Sequence, residues 1–139
     1  MRLVLDTNVL VSALLSPSGA PARVLRLWEA EAFELVVSEA ILAEYARVLA
    51  YPRIATRLKL TGESAEELVG ALRQFSTLVE PDESLQVVAE DPDDDKLLAC
   101  ALAGGAEYVV SGDEHLLGLG EYLWIQVLAP AAFLMLLGQ

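Results

Sequence analysis

The sequence is poor in the residues behind most redox and nucleic-acid chemistry: one cysteine, one histidine and nine basic residues among 139. Cys100 lies in an apolar stretch with no partner in the chain, so an internal disulfide is excluded and a reducing compartment, the cytoplasm, is expected. A membrane span needs roughly 20 apolar residues, and the longest such stretch, Tyr122 to Leu137, is shorter and is interrupted by Gln126 and Pro130. It reads as a last strand followed by a buried or dimer-forming helix. No basic segment, apolar core and cleavage site open the chain as a signal peptide would, because the first apolar run starts at Leu3 and is only about four residues long. Basic charge is scarcest of all: 21 Asp and Glu against nine Lys and Arg give a net charge of −12. A generic nucleic-acid binder would present a basic face instead. The nearest approach to one is Arg47, Arg53, Arg57 and Lys59, a cluster with the arginines suited to bidentate phosphate contacts.

Apolar residues, by contrast, make up 55% of the chain, enough for an ample core in one domain spanning 1–139. Short apolar runs alternate with helical patterns, as in an α/β domain with a mostly parallel sheet. Strands are expected at Arg2 to Asp6, Glu34 to Val37, Tyr108 to Val110 and Trp124 to Val127, with a weaker one at Leu78-Val79 or Gln86 to Val88. Helices are expected at Asn8 to Leu15, Pro21 to Glu31, Glu39 to Ala50 behind a Ser38 cap, and Glu63 to Ser76 behind Thr61 or Ser64. Pro52 ends one helix or restarts the chain as another. A further helix, Asp93 to Ala103, stops at Gly104-Gly105, and the last begins at Pro130. Five short parallel strands with helices on both faces is the simplest assembly, and ligands in such folds sit at the carboxyl ends of the strands.

Acidic residues recur at those ends. Asp6 directly follows Leu3-Val4-Leu5, where it is either a helix cap or a ligand. Glu44 borders the apolar stripe Ile41, Leu42, Tyr45, Val48 and Leu49, whereas Glu39 points away from it. Asp91, Asp93, Asp94 and Asp95 open a helix, where acids also serve to oppose the dipole. Asp94 and Asp95 each share a face with apolar neighbours, so periodicity does not choose between them. Asp113 follows Val109-Val110-Ser111-Gly112, with the glycine expected to allow a tight turn and Ser111 to orient a neighbouring carboxylate. Acidic groups placed just past several strands would converge at one edge of the sheet, an arrangement that suggests a metal site. Hard oxygen ligands suit Mg²⁺ or Mn²⁺; without a metal such carboxylates would repel one another and be partly protonated.

Asp6-Thr7-Asn8 after a strand, Glu44 on a mid-chain helix, the run Asp95-Lys96-Leu97-Leu98-Ala99-Cys100-Ala101 and the run Val109 to Asp113 resemble the acidic motifs of PIN-domain ribonucleases. Asp91-Pro92-Asp93-Asp94-Asp95-Lys96 looks most like the bacterial and archaeal branch of toxin components related to VapC-type toxins. The resemblance covers essentially the whole chain. It implies a three-layer fold with a five-stranded parallel sheet in order 3-2-1-4-5, and metal-dependent hydrolysis of RNA phosphodiester bonds. It also implies that Asp6, Glu44, Asp95 and Asp113 hold Mg²⁺ or Mn²⁺, with Thr7, Asn8 and Ser111 in support. Arg47, Arg53, Arg57 and Lys59 would guide the RNA backbone. An antitoxin protein and a second copy of the chain are the expected partners. The sequence departs from the family where a further acid often stands two positions after the fourth: here that residue is His115.

Two other readings compete. A phosphatase of the haloacid-dehalogenase type also begins with a strand ending in Asp, but it wants a second Asp where Asn8 stands. A catalytically weak or inactive interaction module would keep the fold and use the apolar C-terminus for assembly.

Overall fold

A computed structural model describes residues 1–82, 84 and 92–139. Asp91 and the alternative strand at Gln86 to Val88 lie outside the described residues. The chain runs β1 (Arg2–Leu5), α1 (Thr7–Leu15), α2 (Ala20–Glu29), β2 (Glu34–Val37), α3 (Glu39–Leu49), α4 (Pro52–Leu58), α5 (Gly62–Phe75) and β3 (Thr77–Leu78). It continues as α6 (Pro92–Gly104), β4 (Tyr108–Val110), α7 (Glu114–Leu119), β5 (Glu121–Tyr122), β6 (Ile125–Leu128) and α8 (Pro130–Leu136).

The strands form from apolar runs that the sheet buries on both faces. Leu3, Val4 and Leu5 of β1, and Leu35, Val36 and Val37 of β2, are all buried. Each such side chain contributes about 1.5–3 kcal/mol when taken fully out of water. Helix α3 starts where expected, with Ser38 Oγ accepting from the Ile41 backbone N–H at 3.2 Å. At the start of α5, Thr61 and Ser64 act together as a reciprocal capping box. Pro52 does restart the chain, as the first residue of α4.

The sheet differs from the expected five strands in one respect. Among the described residues it has six, in the order β3-β2-β1-β4-β6-β5. The first five keep the expected parallel arrangement, while β5 pairs antiparallel with β6 at the edge. Between them Leu123 takes a left-handed conformation, φ 52°, as tight hairpin turns require. A two-residue strand carries no readable periodicity, which is why the sequence did not reveal it.

Helix α6 packs against β1, β2, β4 and β6. Its C-terminal turn approaches β2 so closely that a Cβ on Gly104 would stand 2.4 Å from Val36 Cγ1. Gly105 then ends the helix at φ 62°. Gly104→Ala is expected to destabilise the fold by about 1–3 kcal/mol through overpacking, read as a lower urea midpoint at unchanged slope. An unchanged midpoint would show that Val36 can move aside.

At the C-terminus, Phe133 is buried edge-on to Phe33, with centroids 5.5 Å apart, and packs near Tyr108. The same helix leaves Met135 and Leu136 exposed. The expectation of a buried helix therefore describes one side of α8. Among the described residues no helix is long and apolar enough to cross a membrane.

Candidate functional site

The connectivity creates one natural crevice. From β1 the chain moves outward through β2 to β3, then returns to place β4 on the opposite side of β1. The carboxyl ends of β1 and β4 thus lie side by side at a topological switch point, where connections diverge and leave a gap. The register is fixed by Leu5 opposite Val110 and by the Asp6 N–H donating to the Val110 carbonyl at 2.9 Å. Asp6 after one strand and Ser111 to Asp113 after the other are neighbours for this reason.

Asp6 occupies the N-cap position of α1, yet its side chain makes no capping hydrogen bond. The carboxylate is held elsewhere. Ser111 Oγ donates to Asp6 Oδ2 at 2.6 Å, and Asn8 Nδ2 donates to the same oxygen at 3.2 Å. Asn8 Oδ1 in turn accepts the Gly112 N–H at 3.1 Å. Burial pushes the Asp6 carboxyl above its ordinary value, and Glu44 and Asp113 push the same way; the hydrogen bonds from Ser111 and the Thr7 backbone offset part of this.

Ser111 is fully buried and works in two directions. Beyond donating to Asp6, its Oγ accepts the Asp113 backbone N–H at 2.9 Å. The sequence suggested a hydroxyl orienting the neighbouring acid; the acid it orients is 105 positions away in the chain. Asp113 itself caps α7, accepting the His115 N–H at 3.1 Å. That capping role does not remove it from the crevice. Gly112 is not among the left-handed residues, so its expected turn freedom is not used.

Glu44 arrives from α3. Beside it, buried Tyr45 donates its hydroxyl to the Leu5 carbonyl at 2.5 Å, tying α3 to the end of β1. Burial raises the Tyr45 hydroxyl well above its ordinary value, so it stays a neutral donor. Sequence periodicity had shown Tyr45 only as part of an apolar stripe. The Glu44 Oε2 accepts from the Thr7 hydroxyl, while Oε1 faces Lys96 Nζ at 3.5 Å and Arg47 Nη2 at 3.6 Å. Glu39, as expected, points away and pairs with Arg73 of α5.

These groups line a cleft of about 620 Å³ formed by Asp6, Thr7, Asn8, Val11, Ser12, Glu44, Arg47, Val48, Ile54, Asp93, Asp94 and Asp113. Here one expectation and the geometry part. The resemblance gave the third acidic position to Asp95, but the α6 acids lining the cleft are Asp93 and Asp94; Asp95 is buried without being one of the lining residues. Of the basic cluster, Arg47 reaches the cleft, whereas Arg53, Arg57 and Lys59 are exposed on or just after α4. His115 is exposed and is not among the lining residues.

All the acidic donors are hard oxygens, the chemistry that suits a small divalent cation. Among the described residues no three His, Cys, Asp or Glu side chains stand close enough to share one ion as they are. Mg²⁺ does not require that, since it commonly keeps several waters and takes only one or two carboxylates directly. The mutual repulsion felt at Asp6 points the same way: added positive charge would relieve it. The donor set therefore fits such an ion.

A mostly parallel sheet flanked by helices, with an acidic, hydrogen-bonded cleft at its switch point, defines the class as an α/β domain. The model of the PIN domain family matches residues 2–115, and the chain belongs to that family. An uncharacterized protein of Methanocaldococcus jannaschii is 30% identical over 120 residues, which is 86% of this chain and 75% of that protein. Among solved structures, VapBC2 from Rickettsia felis bound to a DNA fragment from its promoter is similar in fold, with a TM-score of 0.58 at 15% identity. The match covers 91% of this chain and 98% of the other.

Proposed function

We propose that the protein is a divalent-metal-dependent endoribonuclease and the toxin of a toxin–antitoxin pair, acting in the cytoplasm. The observation that carries this is the convergence of Asp6, Glu44, Asp94 and Asp113 on one cleft at the strand ends, with Asp6 held by two side-chain donors. Family membership and the likeness in fold to VapBC2 support the same reading.

Asp6, Asp94, Asp113 and Glu44 would hold Mg²⁺ or Mn²⁺, which would supply Lewis acidity toward a phosphate oxygen and a lowered pKa for a bound water. Asp94 takes the place first given to Asp95. The protein's own work is positional. Ser111 and Asn8 fix Asp6, Thr7 fixes Glu44, and Arg47 offers a guanidinium to the phosphate backbone at the cleft wall, with Arg53, Arg57 and Lys59 extending that path. RNA is the substrate in this reading, and an antitoxin and a second copy of the chain are the partners. Exposed Met135 and Leu136 on α8 provide an apolar strip for the homodimer, and a strict monomer by light scattering at high concentration would remove it.

The test is cleavage of a mixed panel of RNAs by the purified protein with Mn²⁺, with Mg²⁺ and with chelator. Internal cuts in the metal arms and none with chelator are expected. Metal-independent cutting sinks the metal-dependent mechanism, and no cutting in any arm sinks the enzymatic reading and leaves an interaction module. In the same assay Ser111→Ala should cost about 10–100-fold in rate, the usual range for residues that orient metal ligands. Wild-type rate in Ser111→Ala would mean that Asp6 is held without it.

A further inference from the structure

Two cations of the chain stand beside the acids of the cleft, Arg47 on its wall and Lys96 behind it. Lys96 lies on α6, one turn from Asp93, and is not among the residues that line the opening. Its Nζ stands 2.9 Å from Asp93 Oδ1 and 3.5 Å from Glu44 Oε1, both on the cleft wall. The ammonium thus bridges α6 and α3, with about a third of the side chain exposed. Arg47 is the second cation on Glu44, at 3.6 Å, but it is more than half exposed and water screens it.

We propose that Lys96 is a tethered counter-cation of the acidic cleft, neutralising Glu44 and Asp93 when no metal is bound and opposing divalent cations by charge when one enters. The inference rests on the reading of the cleft as a metal site. Two features of the geometry support it. The Lys96 to Glu44 separation is longer than a good charge-assisted hydrogen bond of about 2.7–2.9 Å, so the pair holds by charge more than by directed bonding and is easily exchanged. The same ammonium also touches a second carboxylate from its own helix, which gives it a resting place when Glu44 turns to another cation. Lys96 acts through Glu44 and is a positioning residue.

A purely structural lysine and a counter-cation predict opposite signs. If Lys96 only held Glu44 in place, removing its charge would weaken metal binding. A counter-cation that is removed leaves a more negative cleft, and Coulomb attraction for a divalent ion then rises: Mn²⁺ should bind Lys96→Gln about tenfold more tightly than wild type. Lys96→Arg, which keeps the charge, should stay close to wild type. Titration calorimetry with MnCl₂ on the three proteins, after circular dichroism has confirmed equal folding, reads this without any RNA. Equal or weaker binding by Lys96→Gln overturns the counter-cation role while leaving the metal site standing. No Mn²⁺ binding by any of the three overturns both. Tighter binding by Lys96→Gln in a protein that cuts no RNA supports the role of Lys96 and counts only against the ribonuclease.

Discussion

Asp6→Asn is expected to reduce metal-dependent RNA cleavage by more than about 100-fold, because losing a proposed ligand should exceed the 10–100-fold typical of supporting residues. The same change should not weaken the fold. In the folded protein the Asp6 carboxyl titrates above its ordinary value, first because burial disfavours the charge and then because Glu44 and Asp113 repel it. A raised folded-state pKa means that the protonated group favours folding. This contribution is fully present below the unfolded value near 3.8 and is lost as pH rises through the folded value. At neutral pH the wild type therefore carries an ionised, partly buried carboxylate that the asparagine amide replaces with a neutral group of the same shape. Thermal unfolding without metal should place Asp6→Asn at or above wild type. Added Mn²⁺ should then raise the wild-type midpoint and leave the variant where it was. A variant that melts well below wild type, with activity lost in proportion, would make Asp6 a structural residue.

This combination of stability cost and convergent charge is partly legible in the sequence. Leu3-Val4-Leu5 marked a buried strand because three consecutive apolar residues suit a parallel strand covered on both faces. That put Asp6 at a strand end, and a similar run put Ser111 and Asp113 at another. Helical periodicity placed Glu44 at the rim of its apolar stripe, where it is found. Long-range partners were not legible. Nothing in the local pattern shows that Ser111 reaches Asp6, or that the Tyr45 hydroxyl closes on the Leu5 carbonyl, since both depend on which strands become neighbours. The edge strand β5 escaped because two residues leave no pattern, and the bond from the Gly112 N–H to Asn8 escaped because it joins the loop after β4 to the first turn of α1. Charge differs between the whole chain and the cleft. The net of −12 argued against nucleic acid, whereas the cleft itself mixes acids with Arg47 at its wall and Lys96 just behind. The total hides this local arrangement.

The sharpest remaining choice is between adjacent acids on α6. Both Asp94 and Asp95 are buried in the first turn of the helix, so either one interacts favourably with the N-terminal end of the helix dipole. Converting either to asparagine removes that interaction at a cost of about 0.3–1 kcal/mol, and similar small losses of thermal stability are expected in both variants. Activity should separate them. Asp94 lines the cleft with Asp6, Glu44 and Asp113, and Asp95 is not among the lining residues. Asp94→Asn should therefore lose more than about 100-fold in metal-dependent cleavage, by the same reasoning that applies to Asp6, while Asp95→Asn keeps most of its rate. The reverse pattern would restore the third acidic position to Asp95, and would mean that the first turn of α6 rotates by about 100° when the cleft is occupied, the angle between neighbouring residues on a helix.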